Sequence, residues 1–220
     1  MVYSSVVGRA QQTRSRPVRP TPKARATRAR LIETAADAFV EEGYGATSVR
    51  NIADRAGLTS GAIYGHFSSK ASLLGEAVRE RLTEDLEHRG TFEEEDLAGW
   101  LAHNFRDYRK RRDLRALLVE AAAAARIDHE VRGLLHDVVA AKEAEWAEDY
   151  RGVWAREGLD PEVDPEGLLL FLLAAEVGLG VLEAIDIELP SPDVLATVVS
   201  KLVGSLGSGR AHPAAGHRER

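Results

Sequence analysis

Between Leu58 and Ser69 the chain reads LTSGAIYGHFSS and carries no Asp, Glu, Lys or Arg. It offers hydroxyls, a methyl, a phenol and an imidazole, from Thr59, Ser60, Ala62, Tyr64 and His66, with glycine at 61 and 65. The chemistry this suits is recognition rather than bond making. Small side chains let a helix lie deep in a DNA major groove, where hydroxyl and methyl groups touch base edges. Ser60, Gly61 and Ala62 are expected to face bases. Ser48, Tyr64, His66 and Lys70 are donors placed to hold phosphates at the groove lip, Thr47 and Thr59 flank them, and Arg50 could serve either purpose.

Other chemistries fit poorly. Gly178-Leu179-Gly180 has no strand before it and helical neighbours, so it reads as packing and not as a phosphate loop. His129 and His136 lie near one helical face, but no third ligand accompanies them, so no metal site is expected. Asp128-His129 and His136-Asp137 have no nucleophile beside them. An enzyme is therefore not expected, nor is a cofactor.

Positioning the recognition surface requires two short helices and a tight break. Val49, Ile52, Ala53 and Ala56 give the first helix an apolar face. Gly57 supplies a left-handed residue after it. Thr59 can cap the second helix, and Leu58 and Ile63 can staple its entry. The pattern specifies a helix-turn-helix. Thr27 to Glu42, with Leu31, Ile32, Ala35, Ala36, Phe39 and Val40 on one face, is expected to brace it from behind. Arg28 near that helix's start could reach a phosphate or stay solvated.

This stretch resembles the DNA-binding domain of the TetR family of bacterial transcriptional regulators. The residues that carry the resemblance are Gly43-Tyr44, Thr47-Ser48-Val49, Ile52-Ala53, Ala56-Gly57, Ser60-Gly61-Ala62-Ile63-Tyr64, His66-Phe67, Ser69-Lys70 and Leu73-Leu74, over about residues 27 to 78. Two departures stand out: Gly65 where a larger residue is common, and Ala71 where an acid is frequent. The resemblance implies an all-α fold, with an N-terminal three-helix helix-turn-helix domain and a C-terminal helical ligand-binding and dimerisation domain.

The charge distribution agrees. The 220-residue chain has net charge −6, yet no acid precedes Glu33 while Arg9, Arg14, Arg16, Arg19, Lys23, Arg25, Arg28 and Arg30 do. Such asymmetry suggests one end facing nucleic acid. Cysteine is absent, which excludes disulfides and thiolate metal sites and suits a cytoplasmic protein. The first twenty residues lack the apolar core of a secretory signal. The longest apolar run, Leu168 to Ala175, is shorter than the roughly 20 residues a bilayer crossing needs, so no membrane association is expected.

The pattern divides the chain into a disordered basic arm at 1–24, a helix-turn-helix domain at 25–74, a helical effector-binding and dimerisation domain at 75–206, and a flexible tail from 207 to 220. Residues 69 to about 88 read as a helix linking head to body, whose tilt would transmit a signal. The run Glu93-Glu94-Glu95-Asp96 reads as a helix start. Helices are expected over 97–108, 114–125, 127–157, 165–187 and 192–206. Leu168 to Leu173 run around their helix, so it should be buried on every side. Paired with the last helix, it is expected to form a homodimer interface. Trp100, Asn104, Phe105, Tyr108, Glu120, Trp146 and Glu176 are candidate effector contacts, with Glu176 inside an apolar helix the foremost. The functional expectation is a homodimeric regulator, a repressor released from a palindromic double-stranded operator by a small apolar or amphipathic effector. The alternatives are a constitutive DNA-binding protein and, less favoured, an α-helical enzyme.

Overall fold

The computed structural model describes residues 21–89, 96–157 and 162–205. Among them the helices are α1 (Pro22–Glu42), α2 (Val49–Arg55), α3 (Ser60–Tyr64), α4 (Lys70–Arg89), α5 (Leu97–Arg106), α6 (Arg112–Ala125), α7 (His129–Glu157), α8 (Pro165–Ala184) and α9 (Pro192–Gly204), with a 3-10 turn at Tyr108–Arg111. No strand occurs among the described residues. Residues 1–20 of the expected arm, the acids Glu93 to Glu95 and the C-terminal tail fall outside them, while Thr21 to Ala24, expected to be disordered with the arm, instead open α1.

Helix α1 begins earlier than its apolar periodicity suggests. Pro22 opens the helix, and the Thr21 hydroxyl accepts a hydrogen bond from the Ala24 amide at 3.2 Å. A proline fits the first helical position because its missing N–H has no intrahelical partner there. Gly43, at φ 81°, ends the helix.

One apolar core runs from the head into the body. Leu31, Phe39, Ile52, Ile63, Leu73, Leu74 and Val78 pack in the same cluster as Leu117, Leu118 and Ala121 of α6 and Val131 of α7. Packing therefore continues past residue 74, where a domain boundary was expected. A second core gathers Leu97, Trp100 and Leu101 of α5, Val153 and Trp154 of α7 and Val203 of α9.

Helix α8 departs from the expectation of burial all round. Within the chain one face packs and the other is open: Leu170 is 57% exposed, Phe171 62% and Leu182 38%. The packed face lies close to α6, where a Cβ added at Gly180 would stand 3.0 Å from the Arg115 Cβ. It also carries acids. Arg111 donates to Glu176 through Nε at 3.1 Å, and Arg115 donates to Glu183 through Nε at 2.9 Å and Nη2 at 2.7 Å. Asp85 of α4 lies 3.7 Å from Arg111. Arg115 is 1% exposed, so this network is interior. By length and composition the 20-residue α8 could cross a bilayer, which the shorter apolar run in the sequence did not suggest. Its charged inner face is instead matched to buried arginines of the same chain.

Candidate nucleic-acid interface

The recognition hairpin is built from three caps and one glycine. Ser48 Oγ accepts from the Asn51 amide at 3.1 Å and starts α2. Gly57, at φ 63°, turns the chain, and the Leu58 amide donates to the Ala53 carbonyl at 2.9 Å. The Arg30 guanidinium closes the end of α2 by donating to the Ala56 carbonyl. Thr59 Oγ1 then accepts from the Ala62 amide at 3.3 Å and starts α3. Ile63, 1% exposed, anchors α3 in the core. With that face fixed, Gly61 and Tyr64 are exposed, and Ser60, Ala62 and His66 are half-buried along the outer surface. Tyr64 stands furthest out, at 60% exposure. Arg50 is also open to solvent, with only a long 3.8 Å approach to Asp54. His66 and Phe67 lie past the end of α3.

Thr47 and Lys70, expected at the DNA surface, and Arg28, left open between a phosphate and solvent, are placed otherwise. Thr47 is 1% exposed, and its hydroxyl donates to the Gly43 and Ala38 carbonyls at 2.7 and 3.1 Å. It locks the loop from inside and presents no side chain to a ligand. Lys70 Nζ donates to the Tyr44 carbonyl at 2.6 Å and the Thr47 carbonyl at 3.0 Å, 4.1 Å from the centre of the Tyr44 ring. Burial holds its ammonium below the usual lysine range. Arg28 bonds Glu76 of α4 and lies over the Phe67 ring at 5.3 Å. Each is a positive or polar group spent on holding the head together.

Helix α4 starts without the acid that Ala71 displaces. Ser69 Oγ accepts from the Ser72 amide at 2.9 Å while Ser72 Oγ accepts from the Ser69 amide at 3.1 Å. Ser72 thus supplies the reciprocal half of a capping box.

The seven candidate effector residues are not brought together. Trp146 lines an apolar slit with Leu82, Leu118, Val139, Leu170 and Leu173, and Lys142 and Glu143 lie at the same slit. The slit holds about 20 Å³, room for one water. The Trp146 Nε1 is buried with no hydrogen-bond partner. Trp100 and Phe105 are core residues at 7% and 5% exposure. Asn104 lines a separate polar hollow of about 340 Å³ between α4 and α5, and its Nδ2 donates to the Trp100 carbonyl at 2.8 Å. Tyr108 donates its hydroxyl to the Pro190 carbonyl at 2.9 Å. Glu176 is the arginine partner described above, which accounts for an acid in an apolar helix. Glu120, on α6, accepts from the Tyr44 amide at 3.0 Å and so ties the body to the head.

Tyr44, named in the sequence only as part of the family pattern, takes on a structural role here. Besides the Glu120 bond, its hydroxyl donates to Asp128 Oδ2 at 3.1 Å. Burial first, and then the Asp128 carboxylate, push the phenol well above its ordinary value. Both acceptors are more than 70 residues away in the chain, beyond any local signal.

Comparison with known proteins adds to this geometry. Residues 31–77 match the family model described as bacterial regulatory proteins, tetR family. The transcriptional repressor KstR2 of Rhodococcus jostii is 50% identical over 52 residues, covering 24% of this chain and 26% of that protein. The transcriptional regulator TtgR of Pseudomonas putida is 43% identical over 70 residues, covering 32% and 33%. The matched stretch thus spans a quarter to a third of these relatives' length. Salmonella enterica GusR superposes with TM-score 0.68 at 24% identity, over 82% of this chain and 95% of its own. Bacillus subtilis FadR, solved in complex with stearoyl-CoA, superposes with TM-score 0.66 at 16% identity, over 80% and 96%. At those identities the likeness is one of fold, and it extends through the body.

Proposed function

We propose that this chain, whose residues 31–77 match the tetR family of bacterial regulatory proteins, is a DNA-binding transcriptional regulator of that family, a repressor, acting in the cytoplasm as a homodimer. The observation that carries the reading is α3: five residues, capped at Thr59, anchored by Ile63, with an outer surface free of charge from Leu58 to Ser69. Its match to the head of a protein named as a repressor supports the same direction. Ser60, Gly61 and Ala62 contact bases. Ser48, Tyr64 and His66 contact phosphates, with Arg50 free to join either set. Lys70 and Thr47 shape the surface from behind.

Duplex DNA with a palindromic operator needs two such heads about 34–36 Å apart. The open face of α8 and α9 supplies the means of pairing them. Phe171, Leu170, Ile185, Val198 and Leu202 are apolar side chains left at 47–63% exposure. A second copy covering them buries what the single chain leaves wet.

Effector response rests on the slit at Trp146. It touches α4 through Leu82, so a ligand entering it separates α4 from α7 and α8. A ligand shifts the heads only by its differential affinity for the two arrangements. An apolar or amphipathic molecule suits the lining, and a fold neighbour was solved with stearoyl-CoA. The 20 Å³ volume favours a second reading, a regulator that binds DNA without an effector. Selection of duplexes from a random-sequence pool tests DNA binding: a palindromic consensus is expected, and no enrichment refutes it. A thermal-shift screen against the selected duplex separates the two readings. A compound that both stabilises the protein and releases DNA supports the first.

A further inference from the structure

Four elements converge on the loop that leads into α2, and they converge on one residue. The Tyr44 ring packs against Phe39 of α1, with centroids 5.6 Å apart. Its carbonyl accepts from Lys70 at the start of α4 at 2.6 Å. Its amide donates to Glu120 of α6 at 3.0 Å, and its hydroxyl donates to Asp128, which caps α7, at 3.1 Å. Asp128 is itself fixed, accepting from the Glu130 and Val131 amides at 2.9 and 3.2 Å. Close by, Ser69 Oγ donates to Glu130 at 2.5 Å. Gly43 has no Cβ where one would stand 3.3 Å from the Glu120 carboxylate, so the loop reaches the body without obstruction.

We infer that Tyr44 is a positioning residue for DNA binding, through which the α6–α7 corner sets the orientation of the recognition hairpin directly, by a route separate from the tilt of α4. The inference rests on the DNA-binding reading above. Its physical content is preorganisation. Only Gly45 and Ala46 and the buried Thr47 lie between Tyr44 and the Ser48 cap, so fixing Tyr44 to the body fixes where α2 begins. A head that is already oriented spends less conformational entropy on the duplex. Any movement of the corner carrying Glu120 and Asp128 then shifts the start of α2.

Two bonds can be removed separately in the full-length chain. Tyr44→Phe deletes only the hydroxyl. Glu120→Ala deletes the acceptor of the amide, and Glu120→Gln retains one. Losing one such bond should weaken affinity for duplexes selected by the wild-type protein about five- to fifteen-fold. Glu120→Gln should restore affinity to within about twofold of wild type. Hydrogen exchange gives a reading independent of DNA: the Thr47 amide, bonded to the Gly43 carbonyl at 3.1 Å, should exchange faster in Tyr44→Phe. Wild-type affinity in Tyr44→Phe and Glu120→Ala would overturn the inference while leaving DNA binding intact. So would an equal loss in all three variants that tracks their melting temperatures. If the wild type selects no duplex, the DNA-binding reading falls first, and unchanged Thr47 exchange would remove the joint as well.

Discussion

Placing an aspartate at Phe171 tests whether the open face of α8 is an interface. The ring is 62% exposed in the single chain. Full burial of a phenylalanine stabilises by about 1.5–3 kcal/mol, so covering the exposed part is worth about 1–2 kcal/mol in each chain. Phe171→Asp forfeits that term and puts a carboxylate into an apolar seam, at several kcal/mol per ion. By symmetry both effects occur twice. A weakening of at least about 6 kcal/mol per dimer corresponds to roughly four decades in the dissociation constant. A dimer held at nanomolar concentration would then be monomeric at low micromolar. Sedimentation velocity reads this directly, with far-UV circular dichroism to confirm that the helices remain. Ile127 is the matched control: it is 86% exposed and sits in the turn between α6 and α7 rather than on α8 or α9. Ile127→Asp should leave assembly unchanged. A wild-type monomer, or a Phe171→Asp protein that stays dimeric, would refute the reasoning.

Further outcomes follow from named contacts. Lys70→Met removes two charge-assisted bonds and should cost about 2 kcal/mol, or about 4–8 °C in melting temperature, read by thermal unfolding. Because its ammonium is committed to the loop, DNA affinity should fall while the salt dependence stays put, whereas a lost phosphate contact would reduce the slope by about 0.9 per contact. Arg111→Met removes the nearer guanidinium from the buried Glu176 and leaves Arg115 at 3.6 Å, so it should destabilise by up to about 3–5 kcal/mol, and pairing it with Glu176→Met should recover much of the loss in denaturant unfolding. Burial pushes the Glu76 carboxyl up, but bonds from Arg79 and Arg28 together outweigh it and hold it below its ordinary 4.5. Its stabilising effect is therefore present above pH 4.5 and lost as pH falls through the folded value, so Glu76→Gln should flatten the acid limb of a stability–pH curve.

Much of the head was legible because its signals are local. A cap at Thr59, a left-handed Gly57 and a staple from Leu58 to Ile63 act within a few residues, and the structure uses the first two as read. The start of α1 was placed at Thr27, where the apolar face begins, but a proline fits the first helical position and Pro22 opens the helix. What escaped reading are the long-range commitments. Nothing near Lys70 says that its ammonium turns back to the Tyr44 and Thr47 carbonyls, and nothing near Glu120 says that it meets the head. Glu176 stood out as an acid in an apolar helix, but the arginines that explain it lie on the far side of 60 residues of chain. Helix α8 shows the converse: its hydropathy demands more cover than one chain provides, and the fold leaves that demand open on one face.

The central claim is that the surface from Ser60 to His66 reads duplex DNA. Tyr64→Ala tests it most directly, because the side chain is 60% exposed and its loss leaves the core intact. Affinity for the selected duplex, measured by anisotropy titration beside the melting temperature, should fall at least about tenfold with the melting temperature within about 2 °C of wild type. Undiminished affinity in that variant, with the fold intact, would contradict the account.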